Sequence, residues 1–134
     1  MALRIKEVAQ HLGLNPQTIY FYERLGLLPN LQRSRSGYRL FSDQDVERLR
    51  FIKHAKHLGL TLEEIKDILT LKDGRQLTCQ ALHQRLQRKI TAIRQHIHHL
   101  QVLHDQLLSL LDTCQRADPS QACHTLDLIP KSKV

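Results

Sequence analysis

The sequence predicts a mainly α-helical protein, with an N-terminal winged helix-turn-helix followed by a long dimerisation helix that forms an antiparallel coiled coil. Three observations carry this prediction. Two short amphipathic segments are separated by a Gly-Leu-Asn turn at residues 13–15. A stretch that mixes arginines with turn formers and strand formers follows at residues 27–41. Apolar residues then recur with heptad spacing from Leu82 to Leu110.

Composition and charge limit the classes of function. The chain has 134 residues, 20 lysines and arginines against 13 acidic residues, and a net charge of +7, which favours an anionic partner such as nucleic acid. Residues 1–60 hold ten of the basic and five of the acidic side chains, so most of the excess lies there. No stretch resembles a membrane span or a signal peptide, so we expect a cytoplasmic protein with reduced thiols.

The first two predicted helices have the proportions of a helix-turn-helix. Apolar residues at helical spacing run from Ile5 to Leu12, and Gly13 ends that helix. Asn15 is placed to cap the second helix, with Pro16 at its first position. The residues that should face the core from this second helix are Ile19, Tyr22 and Leu25.

Residues 27–41 predict a small hairpin, or wing. Turn formers occupy its first part and its tip, while Tyr38, Leu40 and Phe41 favour strands. The alternative is an ordinary solvated loop. Arginines beside serines and a tyrosine favour contact with phosphate groups, which makes Arg33, Arg35 and Arg39 candidate DNA-binding residues.

Two further helices should complete the N-terminal domain. Ser42 with Asp45 forms a variant of the capping box for a helix that ends near Leu58, and Thr61 with Glu64 forms the standard box for the next helix. A linker is predicted at residues 71–77. The expected domains are a winged helix-turn-helix DNA-binding domain at 1–76, a dimerisation helix at 77–113, and a metal-binding loop and C-terminal tail at 114–134.

A long fifth helix is predicted from Cys79 to about Thr113, with Thr78 as its cap. At about 1.5 Å per residue it would span roughly 50 Å. Its apolar residues form a single heptad seam, so the helix is too one-sided to be stable alone. We therefore expect a homodimer.

The cysteines suggest why this helix ends where it does. Cys79 and Cys114 share one heptad position, five heptads apart, so about 50 Å separates them within a chain. A parallel dimer would pair Cys79 with its own copy, whereas an antiparallel dimer would set it near Cys114 of the partner chain. The loop after Cys114 can then return Cys123 to the same point. Three thiolates favour a soft metal ion; the alternative is that these cysteines are small apolar fillers of the seam.

The histidines have two interpretations. His124 either supplies a fourth ligand that completes a tetrahedral zinc site or points outward. The tract His-Ile-His-His-Leu at 96–100 looks like a metal-binding sequence. On a helix, however, His96, His99 and His104 fall off the apolar seam, and we expect them to face solvent.

The order of these motifs resembles the MerR family of transcription regulators. The resemblance rests on "IKEVAQHLGLNPQTIYFYERLGLL", on "SGYRLFSDQDVERLRFIKHAKHLGLTLEEIKDIL", and on the long helix with its three cysteines. It implies a winged helix-turn-helix, an antiparallel coiled-coil dimer and effector binding at the ends of the coiled coil. It also implies an activator or repressor that distorts promoter DNA so that RNA polymerase can start transcription.

The resemblance assigns roles to individual residues. The helix at 16–25 would enter the major groove. The family usually has arginine where this chain has Tyr20, so contacts at that position should differ. The DNA-contact positions implied are Tyr20, Tyr22, Arg24, Arg33, Arg35, Tyr38 and Arg39.

The cysteine pattern is similar to that of the divalent-ion sensors of the family. Cys79 stands where the copper(I) sensors have serine, and Gln115 replaces a cysteine typical of zinc sensors. The resemblance therefore implies that Cys79, Cys114 and Cys123 bind mercury, lead or cadmium, with zinc less favoured. The alternative is a regulator of the same fold that senses a small molecule or redox state. No nucleophile elbow, phosphate-binding loop or carboxylate pair suggests an enzyme.

Overall fold

The computed structural model describes residues 2–124. Its chain divides into two compact units, Met1–His83 and Gln84–Val134. The elements in chain order are α1 (Ile5–Leu12), α2 (Pro16–Arg24), β1 (Gln32–Arg33), β2 (Arg39–Leu40), α3 (Asp43–His57), α4 (Leu62–Asp73) and α5 (Cys79–Arg116). The mainly helical fold, the winged helix-turn-helix and the long C-terminal helix are confirmed.

The predicted helix ends hold because local side chains satisfy the terminal backbone groups. The Asn15 side chain accepts the Gln17 N–H at 2.9 Å, with Pro16 at the first position of α2. Ser42 and Asp45 form the reciprocal capping box of α3, since Ser42 Oγ accepts the Asp45 N–H at 3.1 Å and Asp45 Oδ2 accepts the Ser42 N–H at 2.9 Å. Gly13 ends α1 in the left-handed region, with φ +65°.

The wing is a short antiparallel hairpin. Gln32 pairs with Leu40 and Arg33 with Arg39. The chain next to β2 continues the sheet briefly, because Leu3 and Phe41 exchange backbone hydrogen bonds of 2.9 and 2.7 Å. The N-terminal segment before α1 is thereby fixed beside the wing.

The core of the first unit lies between α1, α2, α3, α4 and the base of the wing. Phe41, which follows β2, is fully buried in this core. Two long basic side chains of α3 tie neighbouring segments to this core: Lys53 donates to the Leu12 carbonyl oxygen, and Arg48 forms a bidentate pair with Asp73 at 2.7 and 2.9 Å. The most deeply buried aliphatic side chains are Val8, Ile19, Leu27, Leu49, Ile52, Ile65 and Leu69.

Two helix ends differ from the predicted ones. α4 runs to Asp73, so the first three residues of the predicted 71–77 linker are helical. α5 begins at Cys79 as predicted, where Thr78 Oγ1 accepts the Ala81 N–H at 3.0 Å, but it continues past Thr113 to Arg116. No proline or glycine occurs between Cys79 and Pro119, and the pair between Arg116 and Asp112 at 3.3 Å supports the last turn. Cys114 therefore lies in α5 and not in the following loop.

Across residues 2–124, no helix combines the length and the apolar character needed to cross a lipid bilayer.

Candidate nucleic-acid interface and candidate metal ligands

The outer face of α2 presents polar and aromatic groups to solvent. Gln17, Phe21 and Arg24 are exposed one turn after another, and the Arg24 guanidinium lies 5.9 Å from the Phe21 ring centroid. Phe21 is 43% exposed, although it is a large apolar side chain. It was not among the predicted DNA contacts, but an aromatic residue on the polar face of an amphipathic helix is a signal that the sequence did contain.

Tyr22 is placed differently from the other predicted DNA contacts. Its side chain is only 7% exposed and belongs to the core of the N-terminal unit. Burial raises the pKa of its phenol above the ordinary value. The predicted inward orientation is thus confirmed, and any contact with DNA has to be made by the small part that remains accessible.

Glu23 and Tyr20 together hold Arg39 of the wing. The Arg39 Nε–H donates to both Glu23 carboxylate oxygens, at 2.8 and 2.9 Å, and the Arg39 guanidinium carbon lies 4.5 Å from the Tyr20 ring centroid. The hydrogen bond to Glu23 raises the pKa of Arg39. We call this contact the wing clamp. Because its guanidinium is engaged, Arg39 serves to position the wing, and this internal role was not predicted.

The other two wing arginines differ from each other. Arg33 donates to the Gly37 carbonyl oxygen at 3.0 Å across the tip of the wing and lies 3.9 Å from Glu23. Arg35 is exposed, and within residues 2–124 no hydrogen bond or ion pair of its side chain is seen. Arg35 is therefore the wing arginine whose guanidinium is available for a phosphate without breaking an internal contact.

A basic, aromatic cleft lies between the start of α1, the side of α2 and the wing. The guanidinium of Arg4 stacks 4.5 Å from the Tyr38 ring centroid, and Tyr38 is more than half exposed. The cleft has a volume of about 560 Å³. Its lining residues are Arg4, Ile5, Lys6, Glu7, Tyr20, Gly37, Tyr38 and Arg39. Sequence reasoning missed Arg4 because it lies far from the wing along the chain.

The three cysteines are exposed and lie at separate points of one chain. Cys79 is the first residue of α5, Cys114 lies in its last turn, and Cys123 follows the helix. Within residues 2–124, no three histidine, cysteine or acidic side chains of this single chain come together as a metal site.

The segment between Cys114 and Cys123 contains a well-formed turn. Asp118 Oδ1 accepts the Ser120 N–H at 3.0 Å and the Ser120 hydroxyl at 2.7 Å. These hydrogen bonds lower the pKa of the Asp118 carboxyl. This turn follows the end of α5 and changes the direction of the chain before Cys123.

The seam of α5 is uncovered in a single chain. None of its residues is buried, although the helix is 38 residues long. Such a row of large apolar side chains in water indicates an interaction surface. The exposed members on the predicted seam include Leu86, Ile90, Ile93, Ile97, Leu100, Leu103 and Leu107.

Comparison with known proteins identifies the fold family. The profile described as MerR HTH family regulatory protein matches residues 3–72, which is more than half of the chain. The chain belongs to the MerR family. A second profile, described as MerR, DNA binding, matches residues 46–110 and so includes most of α5. Members of this family are DNA-binding transcription regulators that act as dimers, and they are not enzymes.

Individual MerR relatives cover nearly the whole chain. An uncharacterized HTH-type transcriptional regulator of Synechocystis sp. is 46% identical over 84% of this chain and 82% of its own length. The mercuric resistance operon regulatory protein of Bacillus cereus is 36% identical over 98% of this chain and 99% of its own. Among solved structures, the transcription regulator PbrR691 of Ralstonia metallidurans CH34 in complex with lead(II) is 32% identical, with a TM-score of 0.83 and coverage of 93% of this chain and 97% of that one.

Proposed function

We propose that this MerR regulator binds a soft divalent metal ion through Cys79 of one chain and Cys114 and Cys123 of its partner. Binding changes the shape of a metal-resistance promoter and switches on its transcription. The single observation that carries this proposal is the continuous helix from Cys79 to Arg116, which holds two of the thiols about 50 Å apart in each chain.

DNA recognition is assigned to α2 and the wing. The exposed face of α2 enters the major groove with Gln17, Phe21 and Arg24 toward the base edges, where Phe21 suits contact with a thymine methyl group. Arg35 and Tyr38 of the wing reach the phosphate backbone, and Arg33 lies beside the tip of the wing, where it donates to the Gly37 carbonyl oxygen. Tyr20 and Arg39 act mainly through the wing clamp, since each already has a partner within the chain.

Dimerisation is assigned to an antiparallel pairing of two α5 helices. Once Cys79 is set opposite Cys114 of the partner, all the remaining pairs of facing residues along the seam are fixed. Four pairs of large apolar residues then face each other, while Ile97 and Leu110 lie opposite His96 and His83 of the partner, and a two-fold axis passes between residues 96 and 97. The facing pairs are Leu82 with Leu111, Leu86 with Leu107, Ile90 with Leu103, and Ile93 with Leu100. This self-complementary register supports the antiparallel arrangement.

The donor set favours soft ions. Three thiolates suit mercury, lead or cadmium, while zinc would use His124 to complete a tetrahedron. The names of two relatives, one a mercuric resistance regulator and the other a regulator crystallised with lead(II), support this choice.

Transcription is controlled by a change in the DNA. The two DNA-binding units of the dimer hold the two halves of a palindromic promoter, and metal binding at the ends of the coiled coil alters how they are held. The DNA then untwists enough for RNA polymerase to start. These steps place the regulator in the cytoplasm, together with its promoter.

The test is metal binding by the full chain and its cysteine variants. Purified dimer is titrated with Hg(II), Pb(II), Cd(II) and Zn(II), with free thiols counted at each step. We expect two soft ions per dimer and loss of tight binding in each of Cys79→Ser, Cys114→Ser and Cys123→Ser. Tight binding that survives any one of these changes would refute the three-thiolate site. A regulator of small molecules or redox state would show no metal-dependent change in promoter transcription.

A further inference from the structure

The histidine tract of α5 has a special position in the proposed dimer. His96, His98 and His99 are exposed in a helix that continues for many residues on either side. The two-fold axis of the antiparallel pairing passes between residues 96 and 97, so the tract of one chain meets its own copy. This inference rests on the proposed dimer and on the register that sets Cys79 opposite Cys114 of the partner, but it does not require a metal ion at the cysteines.

The heptad register shows which of these histidines face the partner. At about 3.5 residues per turn, His96 lies about 50° to one side of the seam marked by Ile93 and Leu100, and Ile97 lies about 50° to the other side. His99 lies about 100° from the seam on the same side as His96. His98 lies about 150° away and points from the interface toward solvent.

The symmetry brings equivalent side chains together. A two-fold axis perpendicular to the plane of two antiparallel helices carries each flank of one helix onto the same flank of the other. His96 and His99 of both chains therefore line one flank at the axis, while the two Ile97 side chains close the opposite flank. The two His96 residues differ in height by a single residue rise, about 1.5 Å.

Four imidazoles in this arrangement can bind one metal ion. Residues three apart on a helix are neighbours, with Cβ atoms about 5–6 Å apart, so His96 and His99 can bind one ion from the same chain. Helices packed about 8–10 Å apart bring the second pair within reach of that ion. Ala92, the residue before His96 on this flank, is small and leaves the approach open.

We infer that the dimer carries a second metal site at its two-fold axis, formed by His96 and His99 of both chains. Imidazole nitrogens suit borderline ions such as Zn(II), Ni(II) and Cu(II), whereas thiolates suit the soft ions assigned to the ends of the coiled coil. An ion at the axis is bound by side chains of both chains, so it stabilises the dimer without occupying the cysteine sites at the ends of the coiled coil.

The test uses the full chain with Cys79, Cys114 and Cys123 all changed to serine, so that no thiolate can bind. Zn(II) is the probe, and binding is followed by isothermal titration. We expect one zinc ion per dimer. In the same background, His96→Ala and His99→Ala should each weaken binding at least about tenfold. His98→Ala is the matched control and should leave binding unchanged. Alanine favours helix at all three positions, so the dimer should stay folded, which circular dichroism checks.

The outcomes separate this inference from the proposed function. Three results would each contradict the metal site at the two-fold axis, here called the axial site. They are a stoichiometry of one zinc ion per chain, no zinc binding by a protein that is dimeric, and a loss of zinc affinity in His98→Ala equal to that in the other two variants. The soft-metal titration of the unmodified chain would be unaffected by those results. If sedimentation shows that the triple-serine protein is a monomer at micromolar concentration, both the axial site and the antiparallel dimer interface are refuted.

Discussion

Arg39 on the second strand of the wing donates its Nε–H to both carboxylate oxygens of Glu23 on α2, at 2.8 and 2.9 Å. This wing clamp joins the two parts of the unit that are assigned to DNA. Tyr20 adds its ring on the guanidinium of the same arginine, at 4.5 Å. The position and orientation of the wing thus depend on two residues of α2.

Breaking the wing clamp should cost stability. Arg39→Ala removes the pair and leaves the Glu23 carboxylate without its main cation, so we expect the free energy of unfolding to fall by about 1 kcal/mol. Urea denaturation at a fixed protein concentration measures this loss. The double variant Glu23→Gln, Arg39→Gln should lose less unfolding free energy than the sum of the losses in the single variants Glu23→Gln and Arg39→Gln. Strict additivity would show that the two side chains do not interact in solution.

Arg35 should act on DNA alone. Arg35→Ala removes one phosphate contact from each chain, so the slope of log affinity against log salt should become shallower by about two for the dimer. The free energy of unfolding should change by less than about 0.5 kcal/mol, since the side chain is exposed. Fluorescence anisotropy with a promoter duplex at several salt concentrations measures the slope. An unchanged slope and affinity would remove Arg35 from the interface.

Phe21 should contribute to DNA binding through apolar contact. Phe21→Ala exposes no core, so stability should stay within about 0.5 kcal/mol, while promoter affinity should fall by about 1 kcal/mol, roughly fivefold. Because the lost contact is not ionic, the salt slope should be preserved. Phe51→Ala, which changes a partly exposed phenylalanine of α3, is the control. If both variants bind the promoter as the unmodified protein does, Phe21 does not touch the bases.

Much of the fold follows from short-range patterns in the sequence. The caps at Asn15, Ser42 and Thr61 each involve residues two or three apart, so they are visible without knowledge of the tertiary structure. The heptad seam likewise repeats locally. The end of α5 was predicted three residues early because the metal-binding loop was expected to begin at Cys114, whereas the helix continues to Arg116.

The predicted sites depended more on tertiary structure. The wing clamp joins residues 16 positions apart, and the pair of Arg48 with Asp73 joins residues 25 apart. Neither spacing has a local signature, so an arginine engaged within the chain looks the same in the sequence as one available for DNA. The separation of Cys79 and Cys114 was easier to predict, because both lie on one continuous helix, in which the number of residues between them gives their distance.

A charge placed in the apolar seam of α5 should weaken dimerisation. Leu100 faces Ile93 of the partner in the proposed register, so Leu100→Glu buries two carboxylates without partners in each dimer. We expect dimerisation to weaken by more than about 3 kcal/mol, and promoter binding to weaken with it. Sedimentation equilibrium measures the dissociation constant. Gln84→Glu, which adds the same charge about 150° from the seam, should leave the dimer intact. A fully dimeric Leu100→Glu protein would exclude this interface.

The shared metal site makes the sharpest prediction. A Cys79→Ser chain lacks the first thiol, and a Cys114→Ser, Cys123→Ser chain lacks the other two, so neither homodimer holds a complete set at either end. After the chains exchange, the antiparallel heterodimer has one end with all three thiols and one end with none. Tight binding of Hg(II) or Pb(II) should therefore appear only on mixing, at one ion per heterodimer. Chains carrying different affinity tags allow the heterodimer to be isolated and its metal content measured. A site within one chain cannot be restored by mixing, because neither chain holds all three cysteines. An isolated heterodimer without tight metal binding would refute the antiparallel sharing of thiols inferred from the spacing of Cys79 and Cys114.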